Sequence, residues 1–324
     1  MSDHALSFWV TAPGCGEIRR KPLAPPGADE LIVQALYSGV SRGTESLVFN
    51  GRVPPSEYTR MRAPFQEGDF PTPVKYGYCM VGRVIQGPAE YQGREVFCLH
   101  PHQDRFVVPA TAVHPLPSAV PAGRAVLAAN METALNGLWD AGVLPGDRIC
   151  IVGAGSVGCL AAFLAARIPG CEVELIDINP RRAAVASFLG ARFALPDAAR
   201  GEADVVIHTS GTEAGIALAL RLAAFEGTVV EMSWYGDRAV NLPLGEAFHS
   251  RRLVLKSSQV GAVAGARRAR RTLQSRLQLA LSLLNDSTLD GLINSESRFA
   301  DLPNTMQRLS SSPGDVIMHR VRYD

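Results

Sequence analysis

Short apolar runs broken by glycine and proline fill the first third of the chain: ELIVQALYSGV (30–40), MVGRVIQG (80–87), REVFCLH (94–100) and RFVVPA (105–110). Runs of this kind predict strands, and no periodic segment of helix length is visible among them. Around residue 120 the pattern changes. From Arg124 to about Leu284, apolar stretches of helical length alternate with short strand-like runs. That alternation predicts a doubly wound α/β domain, so the chain reads as a β-rich part followed by a parallel-sheet part.

The second part is organised around one stretch. Ile149 to Val152 is a strand suited to burial on both faces, and Gly153, Gly155 and Gly158 follow at G-x-G-x-x-G spacing. These glycines permit a tight turn, close approach of backbone to a pyrophosphate and close packing of helix on strand. Ser156 and Val157 then open a helix whose N-terminal amides suit an anion. Val173 to Ile176 predicts the next strand, closed by Asp177. A carboxylate there accepts hydrogen bonds from a ribose diol and repels a 2′-phosphate, so the expected cofactor is NAD(H), with NADP(H) second. Arg181 and Arg182 follow and could partly rescue NADP(H), or simply cap a helix and face water.

Later strands are legible at Asp204 to His208, Thr228 to Met232 and Leu253 to Ser257. Ligands bind beyond the carboxyl ends of parallel strands. The turns Ser210-Gly211-Thr212 and Ser233 to Gly236 are therefore expected on the cofactor side. The C-terminal VIMHRVRY reads as a strand that returns to the first part.

Composition narrows the function. The 324 residues include 47% hydrophobic and 19% charged side chains and carry a formal net charge of +1. Nothing asks for nucleic acid or a membrane surface as partner; the expected partner is a small-molecule substrate. The N-terminal MSDHALSFWV lacks the basic start and long apolar centre of a signal peptide, and a cytoplasmic protein is expected. Six cysteines without a C-x-x-C pair fit a reducing compartment.

Several features together resemble the medium-chain dehydrogenase/reductase superfamily: the β-rich start, Pro145-Gly146-Asp147 before IVGAGSVG, DINPRR after the second strand and the returning C-terminal strand. The resemblance implies a GroES-like catalytic domain (1–118 and 290–324) and a Rossmann NAD-binding domain (119–289). It also implies pairing into a homodimer through the sixth strand, Leu253 to Ser257. SGVSRGTESLVFNGRVP (38–54) is similar to a branch that includes dehydrogenases of bacteriochlorophyllide side chains.

Zinc members of that superfamily carry a cysteine, a His-Glu pair and a later Cys or Glu as ligands. Here the first place falls on Ser41 or Arg42, the second on Gly77-Tyr78-Cys79 and the third near Ala129, with Glu132 close by. A catalytic zinc needs three converging protein ligands, so a zinc-free site is expected. Cys98, His100 and His102 would share a face on a strand and are the rival metal site.

Without zinc, other groups must serve the substrate oxygen. Tyr78 stands at the histidine place, and its phenol can donate a hydrogen bond; it could also be a core tyrosine. Thr44 matches a hydroxyl relay in the zinc enzymes, or else it caps a short helix. Glu45 replaces an aspartate that steadies the site, Ser41 and Arg42 fill the emptied cysteine place, and Arg42 could bind the pyrophosphate. His100 is a candidate proton shuttle near neutral pH.

The loop between Asn50 and Lys75 carries five prolines with Tyr58, Met61, Phe65 and Phe70, and reads as a lid or as a loop packed on its own domain. Trp234 and Tyr235 could add apolar wall. Five arginines in ARRARRTLQSR (266–276) read as a solvated helix face. The expected function is NAD(H)-dependent oxidation or reduction of an alcohol, carbonyl or enone. The alternatives are a nucleotide-sensing binding protein and a zinc enzyme with rearranged ligands.

Overall fold

Ile149 to Val152 and the apolar runs like it become the centre of a parallel sheet because both faces of each strand are covered. The computed structural model describes residues 4–312 and 314–324. Met1 to Asp3, the start of the stretch read for a leader, lie outside the described residues. The chain divides into two compact units, Met1–Ala129 with Ile293–Asp324, and Asn130–Leu292.

The second unit holds a six-stranded sheet: β1 (Arg148–Val152), β2 (Glu172–Ile176), β3 (Arg192–Ala194), β4 (Ala203–His208), β5 (Ala223–Glu231) and β6 (Val254–Ser257), in spatial order 3-2-1-4-5-6. Every pairing is parallel. This is the dinucleotide-binding order, whose switch point lies beside β1 and β4. Ile216, Ala219 and Leu220 on the helix Glu213–Leu222 pack on Val152, Val206 and Val229 of the sheet.

The first unit is β-rich. Its larger sheet centres on the strand Glu30–Val40, which pairs antiparallel with Met80–Gln86, Arg105–Pro109 and the C-terminal strand Met318–Arg322. The last strand thus returns to the first unit, with His319 opposite Val40. Leu31, Val33, Val96, Phe106 and Val108 form the core of this sheet. Residues 119–129 also pack here: a β-carbon on Gly39 would lie 2.9 Å from Val126 O.

Two expectations are corrected. The first unit contains an α-helix, Arg42–Phe49, whose apolar residues Leu47, Val48 and Phe49 crowd its last turn instead of recurring at helical spacing. The arginine run is not one helical face. Arg267, Arg268, Arg270 and Arg271 are exposed on turns, whereas the helix starts at Leu273 behind a Thr272–Ser275 capping box, and Arg276 is 1% exposed. Arg276 reaches Glu132 at 3.0 Å and Asn136 at 2.6 Å and also bonds the Val260 carbonyl, which explains its burial. Among the described residues, no helix is long and apolar enough to cross a membrane.

Candidate functional site

The glycine turn behaves as its spacing requires. Gly153 adopts φ +108°, a region closed to most side chains, and a β-carbon at Gly158 would lie 1.9 Å from Gly153 O. Gly155 is different. It precedes the helix Ser156–Ala165, which has no side-chain cap, and a β-carbon there would meet nothing within 4 Å. Space is therefore open at Gly155, where a pyrophosphate would approach, and Ser156 and Val157 form the first helical turn beside it.

Asp177 follows β2 and is half-buried. Its Oδ2 accepts from the Ala154 amide at 2.7 Å and its Oδ1 from the Asn179 amide at 2.9 Å. Each oxygen keeps acceptor capacity for a ribose hydroxyl, because a carboxylate oxygen has two lone pairs. This turn and acid suit a nicotinamide dinucleotide. Arg181 is exposed, but Arg182, the first residue of the helix Arg182–Leu189, is 6% exposed and so does not face water.

At the ends of β4 and β5 the expected turns Ser210-Gly211-Thr212 and Ser233 to Gly236 meet in a polar cluster with His208 and Glu231. The sequence pattern does not single out these two strand residues, because a histidine ending the run DVVIH passes for a strand residue. His208 and Glu231 are register partners. His208 Nδ1 lies 2.6 Å from Glu231 Oε2, and Nε2 lies 2.6 Å from Ser210 Oγ. Tyr235 donates to Glu231 Oε2 at 2.9 Å, the Ser233 amide to Oε1 at 2.6 Å, and the Gly211 amide to Ser233 Oγ at 3.0 Å. Thr209 Oγ1 ties this end to the glycine turn, donating to Gly153 O at 2.9 Å.

The first unit brings most of its candidate residues together. Ser41 is the N-cap of the helix Arg42–Phe49, so Thr44 lies inside the helix and is not its cap. Glu45 Oε1 accepts from the Ser41 amide at 2.7 Å, and Glu45 Oε2 lies 2.8 Å from His102 Nε2. A carboxylate only accepts, so Nε2 carries a hydrogen; in the neutral imidazole Nδ1 then accepts from Ser38 Oγ at 2.7 Å, which in turn is 3.0 Å from the Tyr323 hydroxyl. The sequence pattern carries no signal that joins Ser38, His102 and Tyr323, and the structure turns His102 to Glu45 and Ser38.

Tyr78 is half-buried with its hydroxyl hydrogen-bonded to the Ser41 side chain. Burial, then Tyr76, Cys79 and the Glu45 carboxylate, push its pKa well above the ordinary tyrosine value, so the phenol keeps its hydrogen at neutral pH. The proline-rich loop packs on its own unit. Ring contacts run from Tyr58 to Phe70 (5.8 Å), Phe70 to Tyr76 (5.7 Å) and Tyr76 to Tyr78 (6.0 Å). Arg42 is the first residue of the Ser41-capped helix and is half-buried.

His100 does not suit a shuttle near neutrality. Its ring stacks on Phe106 at 3.9 Å, Nδ1 is 2.9 Å from Pro101 O, and burial, reinforced by Lys75, pushes its pKa down to about 3.

The donor set at the zinc positions does not fit zinc. The first place holds Ser41, a hydroxyl engaged with Tyr78, and the second holds a tyrosine beside one cysteine, so three converging nitrogen, sulfur or carboxylate ligands are not assembled there. Glu132 is held by Arg276. Cys98 is in the sheet core, apart from the separately bonded His100 and His102. Among the described residues, no group of three His, Cys, Asp or Glu side chains could hold a metal ion.

No protein-family model matches the chain. It is similar to D-guloside 3-dehydrogenase of Escherichia coli (strain K12), 24% identical over 251 residues, covering 68% of this chain and 71% of the relative. Its fold matches that of L-idonate 5-dehydrogenase from Escherichia coli (TM-score 0.80, 16% identity, 98% of each chain). It also matches that of a protein of Escherichia coli CFT073 described as a short chain alcohol dehydrogenase, complexed with NADH (TM-score 0.77, 15% identity, 99% of this chain and 100% of that one). With the sheet order, the glycine turn and the returning C-terminal strand, these likenesses show a fold shared with these dehydrogenases and fit the resemblance to the medium-chain dehydrogenase/reductase superfamily.

Proposed function

We propose that the chain is an NAD(H)-dependent oxidoreductase that transfers hydride between the cofactor and an alcohol, carbonyl or conjugated enone, with Tyr78 in place of a metal ion at the substrate oxygen. The observation that carries this reading is Asp177, held by the Ala154 and Asn179 amides beside a glycine turn with open space at Gly155. A fixed carboxylate there favours a free ribose diol over a 2′-phosphate, hence NAD(H) over NADP(H). The NADH in the similar Escherichia coli CFT073 enzyme supports a nicotinamide cofactor.

When bound, the nicotinamide supplies or accepts the hydride. In reduction of a carbonyl, the Tyr78 hydroxyl would give its proton to the substrate oxygen and be left as a tyrosinate. The Ser41 hydroxyl stabilises that anion through its hydrogen bond until solvent returns a proton. The oxidising direction needs Tyr78 to lose its proton first, which its raised pKa disfavours at neutral pH, so the site suits reduction better than oxidation. Glu45 fixes the Ser41 backbone through the 2.7 Å bond to its amide, and thereby the partner of Tyr78. Positioned donors of this type contribute about 3 kcal/mol or more to transition-state stabilisation. Thr44, in the same helical turn, is kept as a subsidiary hydroxyl. A small-molecule substrate and pairing of two copies through the edge strand β6 belong to the same proposal; light scattering on the purified protein tests the pairing.

The test is turnover with NADH on a panel of carbonyls and enones, after dialysis against a strong chelator and with zinc measured by mass spectrometry. Expected are turnover that survives chelation and a drop of about 10²- to 10⁴-fold in Tyr78→Phe. About one zinc per chain, with turnover abolished by chelation, would overturn the metal-free site.

A further inference from the structure

Outside the Tyr78 site, a closed network of polar side chains stands at the ends of β4 and β5. His208 is 0% exposed, and both ring nitrogens are used. Both Glu231 oxygens are used as well. The bonds close a circuit from Ser210 through His208, Glu231 and Ser233 back to Gly211, which joins the turn after β4 to the turn after β5. A buried ion-pair-type contact is weak support for stability, and apolar side chains would end two parallel strands as well. Its place beside the glycine turn, tied there by Thr209, points to the ligand.

The hydrogen bonds have a direction. A carboxylate only accepts, so His208 Nδ1 and the Tyr235 hydroxyl both donate to Glu231. In the neutral imidazole, Nε2 is then an acceptor, and the Ser210 hydroxyl donates to it at 2.6 Å. With the Ser210 hydrogen used on Nε2, the hydrogen in the 2.9 Å contact between Thr212 Oγ1 and Ser210 Oγ comes from Thr212, whose oxygen also accepts from the Gly215 amide at 3.1 Å. Ser210 has therefore committed its only hydrogen inward and keeps one lone pair. A ligand meeting it must bring a donor.

We propose that His208, oriented by Glu231, is a positioning residue for the nicotinamide riboside half of the cofactor, and that it does so by presenting Ser210 Oγ as an acceptor to a hydroxyl or amide N–H of that half. This rests on the dinucleotide reading above and deepens it. Asp177 and the glycine turn serve the adenosine and pyrophosphate half, whereas the Ser210 turn serves the other end. The two halves of the ligand should respond to different substitutions.

The experiment is calorimetric titration of the full chain with NADH and with ADP, which lacks the nicotinamide riboside, for wild type, Ser210→Ala and Glu231→Gln. Ser210→Ala removes the acceptor. Glu231→Gln keeps the volume but adds an amide donor, so the histidine tautomer is no longer set. Expected is a loss of about tenfold or more in NADH affinity in each variant, with ADP affinity unchanged within about twofold. Thermal melting run alongside identifies a variant that has merely lost its fold, and Ser210→Ala, at a half-buried turn, is the one expected to keep wild-type melting. NADH affinity unchanged in Ser210→Ala, or NADH and ADP affinities falling in parallel, would overturn the assignment. Wild-type protein that binds neither ligand would instead overturn the dinucleotide reading on which it rests.

Discussion

His102 donates from Nε2 to Glu45 Oε2 at 2.8 Å, and the two side chains are 1% and 4% exposed. The pair joins the SRGTE helix start to the PHQDR segment, 57 residues away, and links Tyr323 and Ser38 on one side to the Ser41 amide on the other.

Breaking a buried pair by removing one partner leaves the other uncompensated. Glu45→Ala is expected to destabilise the protein by about 1 to 3 kcal/mol, the cost of leaving the buried His102 N–H without its acceptor. Glu45→Gln, whose amide oxygen can still accept from His102, should lose clearly less. Urea unfolding of both variants checks this, and equal midpoints for Glu45→Ala and wild type would contradict the coupling.

Burial also sets a pH dependence. His100 and His319 have pKa values pushed down from 6.5 to about 3 and about 4, mainly by desolvation, with Lys75 and Arg308 adding to the effect. Between those values and 6.5 the unfolded chain binds more protons than the folded one. Stability therefore falls as pH drops through this window, by up to about 1.4 kcal/mol per pH unit for each histidine, and neither contributes above about pH 7. His100→Phe, which keeps a ring on Phe106, should remove one share of that slope in unfolding measured from pH 7 to pH 4.5. An unchanged slope would show that His100 is not held neutral.

Arg276 gives a third prediction. It is bonded to Glu132, Asn136 and the carbonyls of Val260 and Ala262, and so fastens the segment after β6 to the helix Ala128–Ala141. Arg276→Ala is expected to cost about 3 to 5 kcal/mol, whereas Arg270→Ala, exposed on a turn, should stay within about 0.5 kcal/mol. Comparable losses for the two would contradict the distinction.

The fold was legible where its signals are local. Gly153, Gly155, Gly158 and Asp177 announce the nucleotide-binding turn because each answers a backbone or charge requirement within one strand-turn-helix-strand unit. The helix Arg42–Phe49 was less visible, since its apolar residues cluster at one end. What the sequence could not display were pairings set by the tertiary fold. His102 meets Glu45 and Ser38 only through chain crossings, and His208 meets Glu231 only once β4 and β5 are in register. Spacing alone grouped Cys98, His100 and His102 on one face, but the strand ends at Cys98 and the chain turns away. The arginine run misled for a related reason: Arg276 looks like its four neighbours until the buried Glu132 is seen.

The central claim is that Asp177 and the glycine turn hold NAD(H). It is tested most directly by equilibrium titration of wild type and Asp177→Ala with NADH and NADPH. Wild type should bind NADH at least about tenfold more tightly than NADPH, and the variant should lose NADH affinity and gain NADPH affinity, since one favourable contact and one repulsion are removed together. An unchanged preference in Asp177→Ala, or a wild type that favours NADPH, would contradict the account.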